Sequence, residues 1–242
     1  MEKNNISLTV IVPFYNEEKF LSQSLERLIK INTYKEIILV DDCSTDNSYK
    51  IANKFANNYK NISLYKKTKN EGKGSCIIFA KSFIQTTHAI VHDADLEYDP
   101  EDIKKLFEIS KNFPDCIISG SRTIGDKKRI KKYKSLKFIN FILTSLFSFL
   151  NFYKLSDIAS CYILIPAKFL KEHIYEESGF GLEVEVLSKF LRTNNKIIET
   201  PINYQGRTYS EGKKIKIKDG INILLKIFKY SKLFNPGSKL CY

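Results

Sequence analysis

Short apolar runs alternate with amphipathic stretches through the first half of the chain. Leu8 to Val12 is apolar apart from Thr9 and β-branched apart from Leu8, as in a strand buried on both faces. From Glu17 to Lys30, residues Phe20, Leu21, Leu25, Leu28 and Ile29 recur at helical spacing, and Glu36 to Val40 again reads as a buried strand. A second helix is expected over Ser44 to Lys60, where Ile51, Ala52, Phe55 and Tyr59 share a face. A strand over Ile62 to Tyr65, a helix over Gly74 to Ile84 and a strand over Ala89 to His92 follow, and another helix begins near Pro100. Strands alternating with helices imply an α/β domain. Its sheet is mostly parallel with helices on both faces, and its ligand site lies at the C-terminal ends of the strands.

The strand exits are polar in a way that suits such a site. Asp93, Asp95 and Glu97 follow the run ending at His92. On an extended backbone alternate residues point to one side, so the three carboxylates are expected to converge on a hard cation that prefers oxygen ligands. An ordinary solvated acidic turn is the plainer alternative. Pro13-Phe14-Tyr15-Asn16-Glu17 leaves the first strand, and Asp41-Asp42-Cys43-Ser44-Thr45-Asp46 leaves the second, where Ser44 or Asp46 can cap the next helix. Asn70-Glu71-Gly72-Lys73-Gly74 could bring backbone amides and a lysine to a phosphate at a helix start.

After Gly120-Ser121-Arg122 the pattern changes. Asp126 to Lys137 holds Lys127, Lys128, Arg129, Lys131, Lys132, Lys134 and Lys137, and an uncharged stretch runs from Phe138 to Tyr153. As a helix that stretch reaches roughly 24 Å, short of a hydrocarbon core of about 30 Å. Asn140, Thr144, Ser148 and Asn151 form one thin polar seam along it, which with the basic run suits a helix lying in a membrane interface. Packing on the protein's own core, or in a dimer, is the alternative. A tail helix over Asp219 to Phe234 sets Ile221, Leu224, Leu225 and Phe228 on one face and Lys226, Lys229 and Lys232 on another. The expected organisation is one domain over residues 6–212, with the interface-helix insertion near 127–153, and a basic amphipathic tail over 213–242.

Composition narrows the function. A chain of 242 residues with 43% hydrophobic residues can bury a large core, and a net charge of +12 predicts anionic partners without choosing among them. Five scattered cysteines suit buried thiols in a reducing compartment better than disulfides or zinc. Met1 to Asn5 leads straight into strand-like sequence, not into a signal peptide, so a cytosolic start is expected.

Together the motifs resemble family 2 glycosyltransferases of the dolichyl-phosphate mannosyltransferase-like branch. The resemblance rests on Val12 to Glu17, Val40 to Asp46, Asn70 to Gly74, Asp93 to Pro100, Gly120 to Arg122, Phe180 to Glu185, Pro201 to Tyr204 and Arg207 to Ile215. It implies a GT-A fold, Rossmann-like, with amphipathic surface helices added. It further implies that Pro13, Tyr15, Glu17, Val40, Asp42, Asp93, Ala94 and Asp95 meet a nucleotide sugar, that Asp95 and Glu97 hold Mg²⁺ or Mn²⁺, and that Arg122, Arg207 and Lys213 face phosphates. Asp95, Arg122 and Arg207 then carry the catalysis. In bacterial relatives an acid is usual near Ala159, a lysine near Ile163 and a basic residue near Ile78; here all three are apolar or small, which bears on the acceptor.

The expected reaction is inverting transfer of a sugar to a polyisoprenyl phosphate or other lipid-linked acceptor, on an anionic membrane surface. The protein would be cytoplasmic and peripheral on the inner face of the cell membrane. A phosphate acceptor is already anionic and needs positioning, by Arg122 and Arg129, more than it needs a base. A hydroxyl acceptor needs a general base, for which Glu183, Glu185 and Asp157 are the candidates. Transfer to a lipopolysaccharide, capsule or other glycan intermediate is the alternative within enzymes, and a non-catalytic membrane scaffold lies outside them. No nucleic-acid partner is expected, since the acidic loop would repel a phosphate backbone.

Overall fold

The structure is a computed structural model and describes residues 6–125, 129–130, 134–207 and 217–236. A seven-stranded sheet forms its centre, in the order β3-β2-β1-β4-β7-β5-β8. The strands are β1 (Leu8–Phe14), β2 (Glu36–Asp41), β3 (Ile62–Lys66), β4 (His88–Val91), β5 (Ile117–Ser121), β7 (Ile163–Pro166) and β8 (Ile197–Pro201). Only β7 runs antiparallel to its neighbours β4 and β5. A two-residue ribbon pairs β6 (Arg129–Ile130) with β9 (Tyr204–Gln205).

The period of two in the central strands decides what covers each face. Val10, Val12, Ile37 and Leu39 point to one side, where they meet Leu21, Leu25 and Leu28 of α1 (Leu21–Lys30) and Ile103, Leu106 and Phe107 of α4 (Glu101–Asn112). Ile11, Ile38 and Val40 point to the other, against α3 (Lys73–Ala80), α5 (Lys134–Asn151), α6 (Ala167–Glu172) and α7 (Leu182–Arg192). The three α1 leucines are fully buried, each worth about 1.5–3 kcal/mol relative to exposure. Helices α2 (Ser48–Asn58) and α8 (Ile217–Tyr230) complete the set, and α8 packs against both α5 and α7.

Expected elements form, with shifted ends. Helix α1 starts at Leu21, not Glu17, because Asn16 turns left-handed at φ 50° and the N–H groups of Glu17 and Glu18 go to Ser48 Oγ and Asp46 Oδ2 in the neighbouring loop. For the same reason α2 starts at Ser48. Ser44 accepts the Asn16 N–H instead of capping the helix, while Asp46 does accept the Ser48 N–H. The boundary expected at 212/213 lies outside the described residues, as do Lys127, Lys128, Lys131, Lys132 and Lys213.

Strands β2 and β4 flank β1 on opposite sides. The chain therefore reverses its winding between β1 and β4, and the loops beyond their C-termini splay apart to leave a crevice. Those loops are Pro13 to Glu17 and Asp93 to Glu97.

Candidate active site

A cleft of about 290 Å³ occupies that crevice. Pro13, Tyr15, Glu17 and Asp42 line one end; Lys73, Asp93, Ala94, Asp95 and Glu97 line the middle. Arg122, Tyr98, Tyr204 and Arg207 form a further wall, and the remaining lining includes Ile158, Ala159, Phe180, Glu183, Val184 and Ile223.

The acidic loop does not converge as an extended strand would. Strand β4 ends at Val91, the backbone turns at Ala94 and Asp95, and Leu96 is left-handed at φ 63°. The alternation breaks, and the carboxylates part company. Asp93 pairs with Lys73 at 2.9 Å, and Lys73 also meets Glu183 at 3.1 Å. Burial works against both charges, yet the pairing wins: Lys73 is held well above the usual lysine range and Asp93 below that of a free carboxylate. Asp95 and Glu97 share Arg207. Its Nη2 lies 2.9 Å from Asp95 Oδ2, its Nη1 lies 3.5 Å from Glu17 Oε2, and its backbone N–H donates to Glu97 Oε1 at 2.7 Å. Tyr204 donates its hydroxyl to Glu97 Oε2 at 2.6 Å. Burial, then the charges of Asp93 and Glu97, push Asp95 up to about 7 despite Arg207. The centre of the cleft is thus short of positive charge.

Arg122 is held on the far wall. Asp157 takes its Nε at 2.7 Å and Nη2 at 2.8 Å, Nη1 donates to the Tyr98 hydroxyl at 3.2 Å, and the guanidinium lies 4.9 Å over the Tyr204 ring. Burial opposes both charges of this pair, but each stabilises the other, raising Arg122 and lowering Asp157.

Three expectations need correction. Glu185 is fully buried and faces away from the cleft: its carboxylate accepts the N–H groups of Glu176 and Glu177 and pairs with Lys189 at 2.6 Å. It organises the 176–181 turn and is no base for the cleft. The Val40 side chain is packed in the core among the residues on the α3 side of the sheet and is not on the cleft wall. In the 70–74 loop the N–H groups of Glu71 and Gly72 are not free for a phosphate, because both go to Asp42, which Lys67 also meets at 3.1 Å. Lys73 does reach the cleft, tied to two carboxylates.

The family 2 glycosyl transferase model matches residues 9–174. The chain belongs to that family. An uncharacterized protein of Methanocaldococcus jannaschii is 30% identical over 207 residues, covering 82% of this chain and 88% of its own length. The dolichol-phosphate mannosyltransferase of Pyrococcus furiosus is 27% identical over 231 residues, 94% of this chain but 64% of that enzyme, so the chain spans less than two thirds of it. The undecaprenyl-phosphate mannosyltransferase of Micrococcus luteus is 27% identical over 209 residues, with 84% and 85% covered. In fold, the Mycobacterium tuberculosis glucosyl-3-phosphoglycerate synthase solved with Mg²⁺ and uridine diphosphate superposes with a TM-score of 0.74 at 12% identity, over 98% of this chain and 82% of that one.

This family 2 glycosyltransferase therefore has the expected GT-A architecture. Its cleft gathers Pro13, Tyr15, Glu17, Asp42, Asp93, Ala94, Asp95, Glu97, Arg122, Glu183 and Arg207 from the motif residues. Sequence reasoning gave no role to Tyr98, Tyr204, Phe180 or Ile223. Tyr98 stands next to the acidic loop and could have been suspected; Ile223 reaches the cleft from α8, and nothing local to it signals that.

Proposed function

We propose that the protein transfers a sugar from a nucleotide sugar to a polyisoprenyl phosphate, with inversion, at the inner surface of the cell membrane. What carries this reading is that the candidate bases are already committed. Glu183 is held by Lys73, Asp157 by Arg122, and Glu185 by backbone amides outside the cleft. An acceptor hydroxyl would need a base, whereas a phosphate oxygen arrives ionised. That favours a phosphate over a glycan hydroxyl.

In this reading the nucleotide lies against Pro13, Tyr15, Glu17 and Asp42, with its diphosphate toward Asp95, Glu97 and Arg207, all of which line the cleft. The chemistry of the donor set suits a divalent cation: Asp95 is a half-buried carboxylate pushed to about 7, and a guanidinium now sits where a metal's charge would serve. Asp95 and Glu97 would hold Mg²⁺ or Mn²⁺, with phosphate oxygens and water filling the remaining positions, as is usual for these ions. When bound, such an ion offsets the charge of the departing diphosphate. Arg207 is expected to leave the carboxylates for the diphosphate as that charge arrives. Arg122 orients the acceptor phosphate, whose oxygen attacks the anomeric carbon while the carbon–oxygen bond to the diphosphate breaks and its electron pair leaves with the nucleotide. Lys213, expected at the diphosphate, lies outside the described residues, as does the Arg129 side chain.

The membrane part rests on α5 and α8. Phe138, Phe141, Ile142, Phe149 and Phe152 are exposed on and beside α5, and Ile221, Leu225 and Phe228 on α8. No helix of the described residues is long and apolar enough to cross a membrane. An apolar surface of this kind on a chain of net charge +12 suits shallow seating on an anionic bilayer.

The test is a panel of nucleotide sugars incubated with protein, Mn²⁺ and a short polyprenyl phosphate, with products identified by mass. A glycosyl phosphate of inverted anomeric configuration is expected. Transfer only to glycan hydroxyls would overturn the acceptor assignment.

A further inference from the structure

The polar seam of α5 faces the protein, and three of its members are spent on one short segment. Ser148 Oγ accepts the Leu155 N–H at 3.1 Å, Thr144 Oγ1 accepts the Ile158 N–H at 3.4 Å, and Asn140 Nδ2 donates to Asp157 Oδ1 at 3.0 Å. The last bond reaches the cleft. Asp157 is buried, and its two oxygens also take the backbone N–H, Nε and Nη2 of Arg122 and the Ala159 N–H. A carboxylate only accepts, so Asn140 must turn its NH₂ toward Asp157. Its own carbonyl oxygen is buried with no partner among the described residues. Asn140 is thus oriented by Asp157, and Oδ1 is the oxygen that Asn140, Ala159 and Arg122 Nη2 share.

We propose that Asn140 is a positioning residue: it fixes the Asp157 carboxylate and, through it, the aim of the Arg122 guanidinium into the cleft. Arg122 is tethered on one edge by Asp157 and leaves the Nη1 side, near Tyr98, for a substrate phosphate. Without the third donor, Oδ1 keeps only the Ala159 N–H and Arg122 Nη2, so the torsion about the Cβ–Cγ bond is held less tightly and the bidentate pair can shift with it. The tilt of the guanidinium plane is then less closely set, which matters because a planar fork recognises phosphate directionally. The helix that exposes Phe141 and Phe149 outward is in this way also the helix that sets the arginine of the cleft. The inference rests on the reading of the cleft as the place of transfer to a phosphate.

Three variants and four readouts test it. In Asn140→Ala the KM for a short polyprenyl phosphate is expected to rise about ten-fold, the scale of one lost hydrogen bond to a charged group. The affinity for uridine diphosphate with Mn²⁺ and the melting temperature should stay as in the wild type. Asn140→Gln, which keeps an amide donor, should recover most of the loss. In protein labelled with ¹⁵N-arginine, the Arg122 Nε–H resonance, assigned by its loss in Arg122→Lys, should shift in Asn140→Ala and return in Asn140→Gln. In an active enzyme, an unchanged acceptor KM or an unmoved resonance overturns the proposal. So does a fall in melting temperature and uridine diphosphate affinity together, which marks a purely structural role. If the wild type transfers nothing to this acceptor, the functional reading fails separately, and the resonance alone then decides: unmoved, it sinks the positioning role; shifted and restored, it sustains it.

Discussion

His92 is sealed between the Tyr162 hydroxyl, 2.7 Å from Nδ1, and Ser24 Oγ, 3.1 Å from Nε2, and burial pushes its pKa down to about 4. In the unfolded chain the same imidazole takes a proton below about 6.5. Between these values the unfolded state binds more protons, so stability falls as pH drops from about 6.5 toward 4, by on the order of 3 kcal/mol in all. His92→Gln keeps hydrogen-bonding capacity without the titration and should flatten that part of the curve, as denaturant melts at several pH values would reveal. Asp95 behaves in the opposite sense. Its raised pKa means the ionised carboxylate is a burden on the metal-free fold above pH 7. Asp95→Asn is therefore expected to raise the melting temperature at pH 8 by a few degrees, on the order of 1 kcal/mol, while abolishing turnover. A variant that melts lower, or still turns over, would remove Asp95 from its assigned role.

Helix α5 has two faces with unequal tasks. Leu143, Phe147 and Leu150 are buried in the core and the polar seam holds the 155–158 segment, while Phe141 and Phe149 stand 66% and 70% exposed. Replacing both exposed phenylalanines by serine should leave stability within about 0.5 kcal/mol, because little burial is lost. Flotation with anionic vesicles at low salt should fall sharply; undiminished flotation would leave α5 without a part in membrane attachment. Helix α3 shows the reverse dependence, on close approach. A Cβ at Gly74 would stand 2.5 Å from the carbonyl oxygen of Glu177 and 2.7 Å from the carbonyl carbon of Ser178. Gly74→Ala should cost about 1–3 kcal/mol in denaturant unfolding by forcing the 177–179 turn off α3. It should also weaken the Lys73 bridge between Asp93 and Glu183.

Across the whole molecule, charge is distributed against the average. The chain carries +12, yet among the described residues the cleft wall has six carboxylates, Glu17, Asp42, Asp93, Asp95, Glu97 and Glu183, against Lys73, Arg122 and Arg207. A nucleoside diphosphate entering alone meets a field of its own sign. Uridine diphosphate should bind at least about ten-fold more weakly in chelator than in Mn²⁺, a difference of roughly 1.4 kcal/mol or more by calorimetry. Equal affinity in both would mean that the protein's own cations suffice.

Much of the fold was legible because it depends on local periodicity. Val10 and Val12 against Ile11 state which face each side chain takes, and Leu21, Leu25 and Leu28 state where α1 lies down. The polar exits Pro13 to Glu17 and Asp93 to Glu97 followed from strand ends in a parallel sheet, and they do meet at its switch point. How the site's charges are shared was decided only by tertiary structure. The turn at Ala94 and Asp95 separates Asp93 from Asp95, and partners remote in sequence divide them: Lys73 takes one and Arg207 the other. Glu183 and Glu185, two residues apart on α7, look alike in sequence. One faces the cleft and one the backbone of a turn, because successive side chains on a helix point about 100° apart and only packing says which direction is inside. The seam of α5 could be read as wet or dry from its spacing alone; the 155–158 segment, folded against it, made it dry and turned the phenylalanines outward.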